Sequence, residues 1–457
     1  MRVAIYFVLA LLLCIQIDNA GITSTLKLSY SQFKPLYQKA VKLYQEGDYD
    51  QAVDIYQAIL PMKLDAADIY YNLGLAELER HNYEEAQDAF SNALLYNQQD
   101  YEASIQLAIS QKKDKKPVHA RSSYQKALEI NPDLFEVHYD LALLEMELKN
   151  NEKAHEHFKK AVALNPKLYE AYNDWGILYD SEGEKLKART CYLMAVQAKP
   201  DFFFALYNLG LSYKAEGQHS KAFQFYSDAH KVQPDHKETL ISLGNLSNHL
   251  KQFNLSKEYS RIVMEKFPGS VHGYYNYANA LFGLRQFVEA KKIYEEILAQ
   301  NQEIPEVYNN LGIICLELDE TQDALHYYQK ALKLRPDYIS ALNNIGWVYY
   351  LNNQLGKALE YTQRAHSLDA SDTVANYNLG LFLALSQNEE AARKHYEEAA
   401  KFSPADPYAY QDLQTALSKN PENPIISRII QEFFQKLAVN KEGSQTQTVD
   451  GIQIKSE

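Results

Sequence analysis

The chain reads as an all-α protein, a solenoid of helix–turn–helix hairpins followed by C-terminal capping helices. Three observations predict this. A phrase recurs as Tyr71-Asn72-Leu73-Gly74, Tyr207-Asn208-Leu209-Gly210 and Tyr377-Asn378-Leu379-Gly380, with Asn309-Asn310-Leu311-Gly312 and Asn343-Asn344-Ile345-Gly346 as variants. Its glycines are separated by multiples of 34 residues, and self-similarity at a period of about 20–50 residues marks stacked repeats. Within each period a small residue, an alanine, an aromatic and a proline fall at fixed places.

Taken in order, residues 1–20 differ from everything after them. Arg2 precedes an uncharged apolar run from Val3 to Ile17, and Asp18-Asn19-Ala20-Gly21 follows. A basic start, a short apolar core and a small residue at the exit describe an export signal. The run is short against the about 20 residues of a bilayer span. A cleaved signal peptide is expected, with a retained N-terminal anchor as the alternative; Leu13 before Cys14 argues against a lipid-modified cysteine. The protein is accordingly expected to be exported (periplasmic, cell-envelope or secreted).

Residues 21–32 are a polar lead-in. From 33 to 406 the chain divides without insertion into eleven units: 33–66, 67–100, 101–134, 135–168, 169–202, 203–236, 237–270, 271–304, 305–338, 339–372 and 373–406. The eighth position is Gly or Ala throughout, from Ala40 to Gly380, and the twentieth is Ala in ten units, Ser256 being the exception. Two helices approach closely only where a side chain is small, so these positions mark the crossing. Position 24 is Tyr or Phe in nine units and is expected to fill space between neighbours. Proline ends seven units, as at Pro132 and Pro336, where it stops the second helix. Turn signals such as Glu46-Gly47-Asp48 and Glu182-Gly183-Glu184 separate the two helices of a unit. The seventh unit, with Ser256 and Ser260, is expected to pack more loosely and to be a flexible point. Residues 407–439 read as two amphipathic capping helices, Tyr408 to Ser418 and Ile425 to Leu437, covering the last hairpin. The polar tail 440–457 is expected to be disordered.

This pattern resembles the tetratricopeptide repeat family over about four fifths of the chain. The resemblance implies a right-handed superhelix in which the first helix of each pair lines a concave groove, with positions 2, 5, 6, 9, 12 and 13 facing it. Position 6 is never apolar. It carries Asn72, Asn208, Asn276, Asn310, Asn344 and Asn378, with Asp140 and Asp174 in the fourth and fifth units. Position 5 is Tyr at Tyr71, Tyr207, Tyr275 and Tyr377, among others, and Asn at Asn309 and Asn343. An amide both donates and accepts, so a row of them suits an extended peptide backbone. A similar asparagine ladder lines the repeats of the O-linked N-acetylglucosamine transferases, whose catalytic domain has no counterpart in the residues after 406. The acidic units, with Glu102, Glu136 and Glu170, are expected to favour a basic partner. The carboxylate clamp of chaperone adaptors needs Lys at position 5, where this chain has Tyr, Asn or Ile.

A net charge of −13 argues against nucleic-acid binding. His155-Glu156-His157 is the densest group of ligand-type residues, but residues two apart on a helix diverge, and an exposed second-helix position accounts for them. Trp175 reads as core and Trp347 as facing the groove. Lys112 to Lys116 reads as a solvated loop. Asn245 and Asn254 begin Asn-Leu-Ser sequons. No phosphate loop, zinc-hydrolase helix or nucleophile elbow occurs. The sequence therefore predicts a non-enzymatic scaffold without cofactor or metal, binding an extended peptide or partner protein. A glycan-binding or polysaccharide-export protein is the second expectation, and an intracellular adaptor the third if the leader does not export. Membrane contact is expected only through a retained leader.

Overall fold

A computed structural model describes residues 30–300, 303–404 and 406–434. The leader at 1–20, most of the lead-in and the tail at 440–457 lie outside the described residues. Among the described residues there are α-helices, one 3-10 turn and no strand. No helix among them is long and apolar enough to cross a membrane.

The first five units give α1 (Tyr30–Gln45) and α2 (Tyr49–Ile59), α3 (Ala66–Glu79) and α4 (Tyr83–Tyr96), α5 (Tyr101–Lys113) and α6 (Pro117–Ile130), α7 (Phe135–Glu147) and α8 (Asn151–Leu164), then α9 (Tyr169–Ser181) and α10 (Lys185–Ala198). The next three give α11 (Phe203–Ala215) and α12 (His219–Val232), α13 (Lys237–His249) and α14 (Phe253–Lys266), then α15 (Val271–Gly283) and α16 (Phe287–Ala299). The last three give α17 (Pro305–Glu317) and α18 (Thr321–Leu334), α19 (Ile339–Leu351) and α20 (Leu355–Leu368), then α21 (Thr373–Leu385) and α22 (Glu389–Phe402). Two capping helices follow, α23 (Pro407–Lys419) and α24 (Pro424–Phe433). Sequence reading carried the second cap to Leu437; beyond Phe434 that expectation falls outside the described residues.

Every unit turns in the same way. The N–H of position 16 donates to the carbonyl of position 11, as Asn82 to Glu77 and Gln252 to Ser247, the bond that closes a helix end through a left-handed residue. Position 15 supplies that residue. It is Gly47, Gly183 and Gly217 in three units and a side-chain-bearing residue, such as His81, Lys149 or Asn353, in the other eight.

The small residue at position 8 has a specific neighbour. A Cβ added to Gly74 would stand 2.7 Å from the Phe90 ring, and one at Gly312 would stand 2.5 Å from Tyr328. The aromatic at position 24 thus seats on the small residue of its own hairpin and also reaches the next repeat, as Phe158 does in stacking on Trp175. Tyr56, Phe90, Tyr124, Phe158, Tyr192, Tyr226, Tyr294, Tyr328 and Tyr396 are all fully buried there. In the seventh unit Ser260 takes this place and Ser256 donates to the Gly244 carbonyl at 2.8 Å. Both serines are buried, so a hydrogen bond stands where other units have a methyl group.

The described residues form two compact units, divided between Ala205 and Leu206. The division comes at the start of the sixth repeat. In the second unit, α24 places Ile425, Ile426 and Ile429 in a core with Phe382, Tyr396 and Leu413. At about 25 cal/mol per Å² of apolar surface, such a cap removes the exposed face that a terminal repeat would otherwise leave.

Candidate functional site

The first helices carry the candidate residues, and their side chains make a regular set of contacts. In several pairs of repeats position 5 of one meets position 6 of the next. In the first unit Asn72 Nδ2 donates to Tyr37 Oη at 2.8 Å, and Tyr139 Oη donates to Asp174 Oδ2 at 2.6 Å. In the second unit Asn276 Nδ2 donates to the Ile241 carbonyl at 3.1 Å, and Asn344 Nδ2 donates to Asn309 Oδ1 at 3.0 Å. The second partner of position 6 is the buried aromatic of the preceding repeat. Tyr124 Oη donates to Asp140 Oδ2 at 3.2 Å, and Asn310 Nδ2 donates to Tyr294 Oη at 3.1 Å.

These bonds engage Nδ2 hydrogens of the amides, two each at Asn72 and Asn310 and one each at Asn276 and Asn344. Both Nδ2 hydrogens of Asn72 are taken, the second by the Asp68 carbonyl at 2.8 Å, and Asn310 also reaches Asn279 Oδ1 at 3.3 Å. The amide oxygens of Asn72, Asn276, Asn310 and Asn344 accept no hydrogen bond among the described residues. Within each unit these amides therefore present acceptors to whatever lies on that unit's first helices.

Burial divides the predicted residues. Tyr71, Asn72, Asp140, Asp174, Tyr207, Asn208, Tyr275 and Asn344 are partly exposed, whereas Asn276, Asn309, Asn310, Asn343, Tyr377 and Asn378 are buried. Their tyrosines do not stand free. Tyr71 packs on Phe90 at a ring separation of 5.8 Å, Tyr207 on Tyr226 at 5.6 Å, Tyr275 on Tyr294 at 6.0 Å and Tyr377 on Tyr396 at 5.6 Å. Burial pushes the Tyr71 phenol up to about 12, with Glu102 adding to the effect. Burial also raises the Asp140 carboxyl, partly opposed by Lys112 and by the Tyr124 hydrogen bond.

In the second unit the ladder ends in a cavity of about 160 Å³. Asn343, Asn344, Tyr377 and Asn378 line it together with Trp347, which sequence reading placed facing a groove. The opposite wall is α23, with Asp406 and Asp412. Sequence reasoning missed these two carboxylates because Asp406, the last position of the eleventh unit, is outside the first-helix positions read for the groove, and Asp412 lies beyond the last repeat. Burial, with a contribution from Asp406, pushes the Asp412 carboxyl up to about 7.

The other singled-out residues have structural partners. His155 and His157 diverge as the helical spacing requires, but both are partly buried, which corrects the exposed reading. His155 accepts from Trp175 Nε1 at 2.7 Å and meets Glu182 at 2.9 Å, while His157 pairs with His138 at 3.0 Å. Trp175 stacks on Phe158 with ring centroids 6.3 Å apart. No group of metal-ligating residues occurs among the described residues. Lys116 pairs with Asp114 at 2.7 Å. Cys191 and Cys315 are buried free thiols, pushed up to about 11 and about 12 mainly by burial. The sequons lie on helices, with Ser247 and Ser256 fully buried.

Comparison with known proteins follows the same units. Models of the tetratricopeptide repeat match residues 37–100, 71–135, 135–168, 204–236, 305–338, 327–360 and 374–406, together more than half of the chain. Among solved structures, yeast Tom70 is 16% identical, covers 88% of this chain and 99% of its own, and has a TM-score of 0.42. A structure of the APC/C hetero-tetramer Cut9-Hcn1 is 16% identical over 86% of each chain at 0.45. Pseudomonas aeruginosa PilF is 20% identical over 46% of this chain and 95% of its own at 0.39. No curated protein matches the chain. Hairpin by hairpin, in helix length, turn and small-residue seat, this chain belongs to the tetratricopeptide repeat family.

Proposed function

We propose that the protein is a non-catalytic scaffold that holds an extended segment of a partner polypeptide against its first helices. The supporting observation is the set of amide oxygens at Asn72 in the first unit and at Asn276, Asn310 and Asn344 in the second, each without a donor among the described residues while its own Nδ2 is engaged. An extended chain supplies backbone N–H donors along its length, and a backbone reader of this kind accepts many sequences. Each net hydrogen bond contributes about 0.5–1.5 kcal/mol. Several of them together match the roughly 2–5 kcal/mol needed to order a flexible segment.

The leader sequence supports export, so we place the scaffold in the cell envelope or outside the cell.

The test is a cross-linked pull-down from the native source, comparing the intact protein with Asn72→Ala/Asn208→Ala/Asn310→Ala. Circular dichroism and the thermal midpoint first establish that the variant is folded. A protein partner captured by the intact chain and lost by the variant is the expected result. Equal capture by both would move the interaction off the first helices.

A further inference from the structure

The cavity at the end of the second unit has a composition that the backbone-reading row does not explain. Its carboxylates come from three places: Asp372 before α21, Asp406 at the start of α23 and Asp412 six residues further on. No Lys or Arg lines it. Asp406 is occupied as a helix cap, accepting from the Tyr408 and Ala409 N–H groups at 3.0 and 3.2 Å and from Ser403 Oγ at 3.1 Å. Asp372 accepts from Asn343 Nδ2 at 3.0 Å and caps α21 through the Ala375 N–H at 2.6 Å. Asp412 has no hydrogen-bond partner among the described residues.

A second feature is independent of the acidic cluster. Asn378 lines the cavity, is only 9% exposed and makes no hydrogen bond among the described residues. Asn343, also a lining residue and 3% exposed, has an Oδ1 without a partner. Buried amides are normally satisfied, and each exception calls for an occupant or a role. Trp347 and Tyr408 supply aromatic surface to the same space. Unpaired acceptors, an unneutralised carboxylate and aromatic walls together match a cationic group with several N–H donors.

We infer that this cavity is a subsite for a basic side chain, arginine or lysine, of the polypeptide lying on the first helices. The inference rests on the peptide-binding reading and adds a sequence preference to it. Asp412 supplies the counter-charge, Asn378 supplies a further acceptor, and Trp347 stands against the cation or its aliphatic stem. Asp412 is surrounded by acids and neutral groups. Asp372 and Tyr377 face it from the α21 side, Tyr350 from α19, Tyr396 from α22, and Asp406 and Tyr408 from its own helix. A bound cation favours the ionised carboxylate, so affinity rises with pH through about 7, the value to which burial pushes Asp412.

The experiment uses the full chain and three labelled Ser/Gly nonapeptides that differ only at the centre, carrying arginine, lysine or the uncharged arginine isostere citrulline. Binding is read by anisotropy and by tryptophan emission at pH 6 and pH 8. The expected result is at least tenfold tighter binding of the arginine or lysine peptide than of the citrulline peptide at pH 8. Asp412→Asn is expected to remove that preference and its pH dependence, and the ratio of arginine to lysine affinity identifies the preferred cation. Equal binding of all three, an unchanged preference in Asp412→Asn, or no charge-dependent signal at millimolar peptide would overturn the inference. The ladder variant Asn72→Ala/Asn208→Ala/Asn310→Ala, whose changes lie outside the cavity, separates the two proposals. Loss of all three peptides there, with no charge preference in the intact protein, leaves backbone reading standing and removes the subsite. Undiminished binding there with the charge preference intact does the reverse.

Discussion

At the scale of single residues, Asn72 and Asp412 show two ways in which a polar group is placed. Asn72 gives both amide hydrogens to its surroundings and keeps an oxygen; Asp412 has no hydrogen-bond partner for its carboxylate among the described residues. The second arrangement has a consequence for stability. Its carboxyl sits at about 7 when folded against 3.8 ordinarily. The folded state therefore binds the proton more tightly, and stability falls as pH rises from about 4 to about 7. Asp412→Asn removes that loss. It is expected to raise stability by about 2–4 kcal/mol at pH 8 and to change little at pH 4, as read from urea unfolding at both values. Position 6 was legible in the sequence as a polar line beside an apolar one. Its bonding was not, because Asn344 meets Asn309, a residue 35 positions earlier, and such pairing appears only once neighbouring helices are in register.

Each hairpin is built around a left-handed residue at position 15. Eight of the eleven carry a side chain there, with φ between 57° and 62° at His81, Lys115, Lys149, Lys251, Arg285, Asp319, Asn353 and Gln387. An L-residue in that conformation costs about 1–2 kcal/mol, so Lys149→Gly and Lys251→Gly are each expected to stabilise by about 0.5–1 kcal/mol after the entropy of glycine is counted. Their thermal midpoints would check this, and a lower midpoint in both would show that the turn is not the strained point. A second consequence concerns histidines held between helices. Burial lowers His138, His249 and His395, and lowers His157 to about 4, with His138 and Lys160 adding to it. A folded pKa below the unfolded value near 6.5 leaves stability intact at neutral pH and erodes it as pH falls toward 4. His157→Gln is expected to recover about 1–2 kcal/mol at pH 5, with allowance for partial exposure, in denaturant titrations at pH 7 and pH 5. Hairpin boundaries were readable from glycine, alanine and proline. The exposed reading of His155 and His157 failed because each is held by a partner, Trp175 or His138, from the neighbouring helix or repeat.

For the whole molecule, the period of 34 residues was sufficient to predict an all-α array, because the same small positions recur wherever two helices must cross. What lay outside the period was less legible: the caps were recognisable as amphipathic helices, but the acids that α23 brings to the ladder's end were not. The central claim is that the first helices, and not the second, meet a partner polypeptide. The most direct measurement is photo-crosslinking of the full chain in its native source. A benzophenone amino acid would replace partly exposed first-helix residues Tyr71 and Gln106 in turn, and exposed second-helix residues Leu186 and Val288, which are 72% and 68% exposed. One partner polypeptide cross-linked from Tyr71 and Gln106, and absent from Leu186 and Val288, is the predicted result. Cross-links confined to Leu186 and Val288 would contradict the account and assign recognition to the second helices.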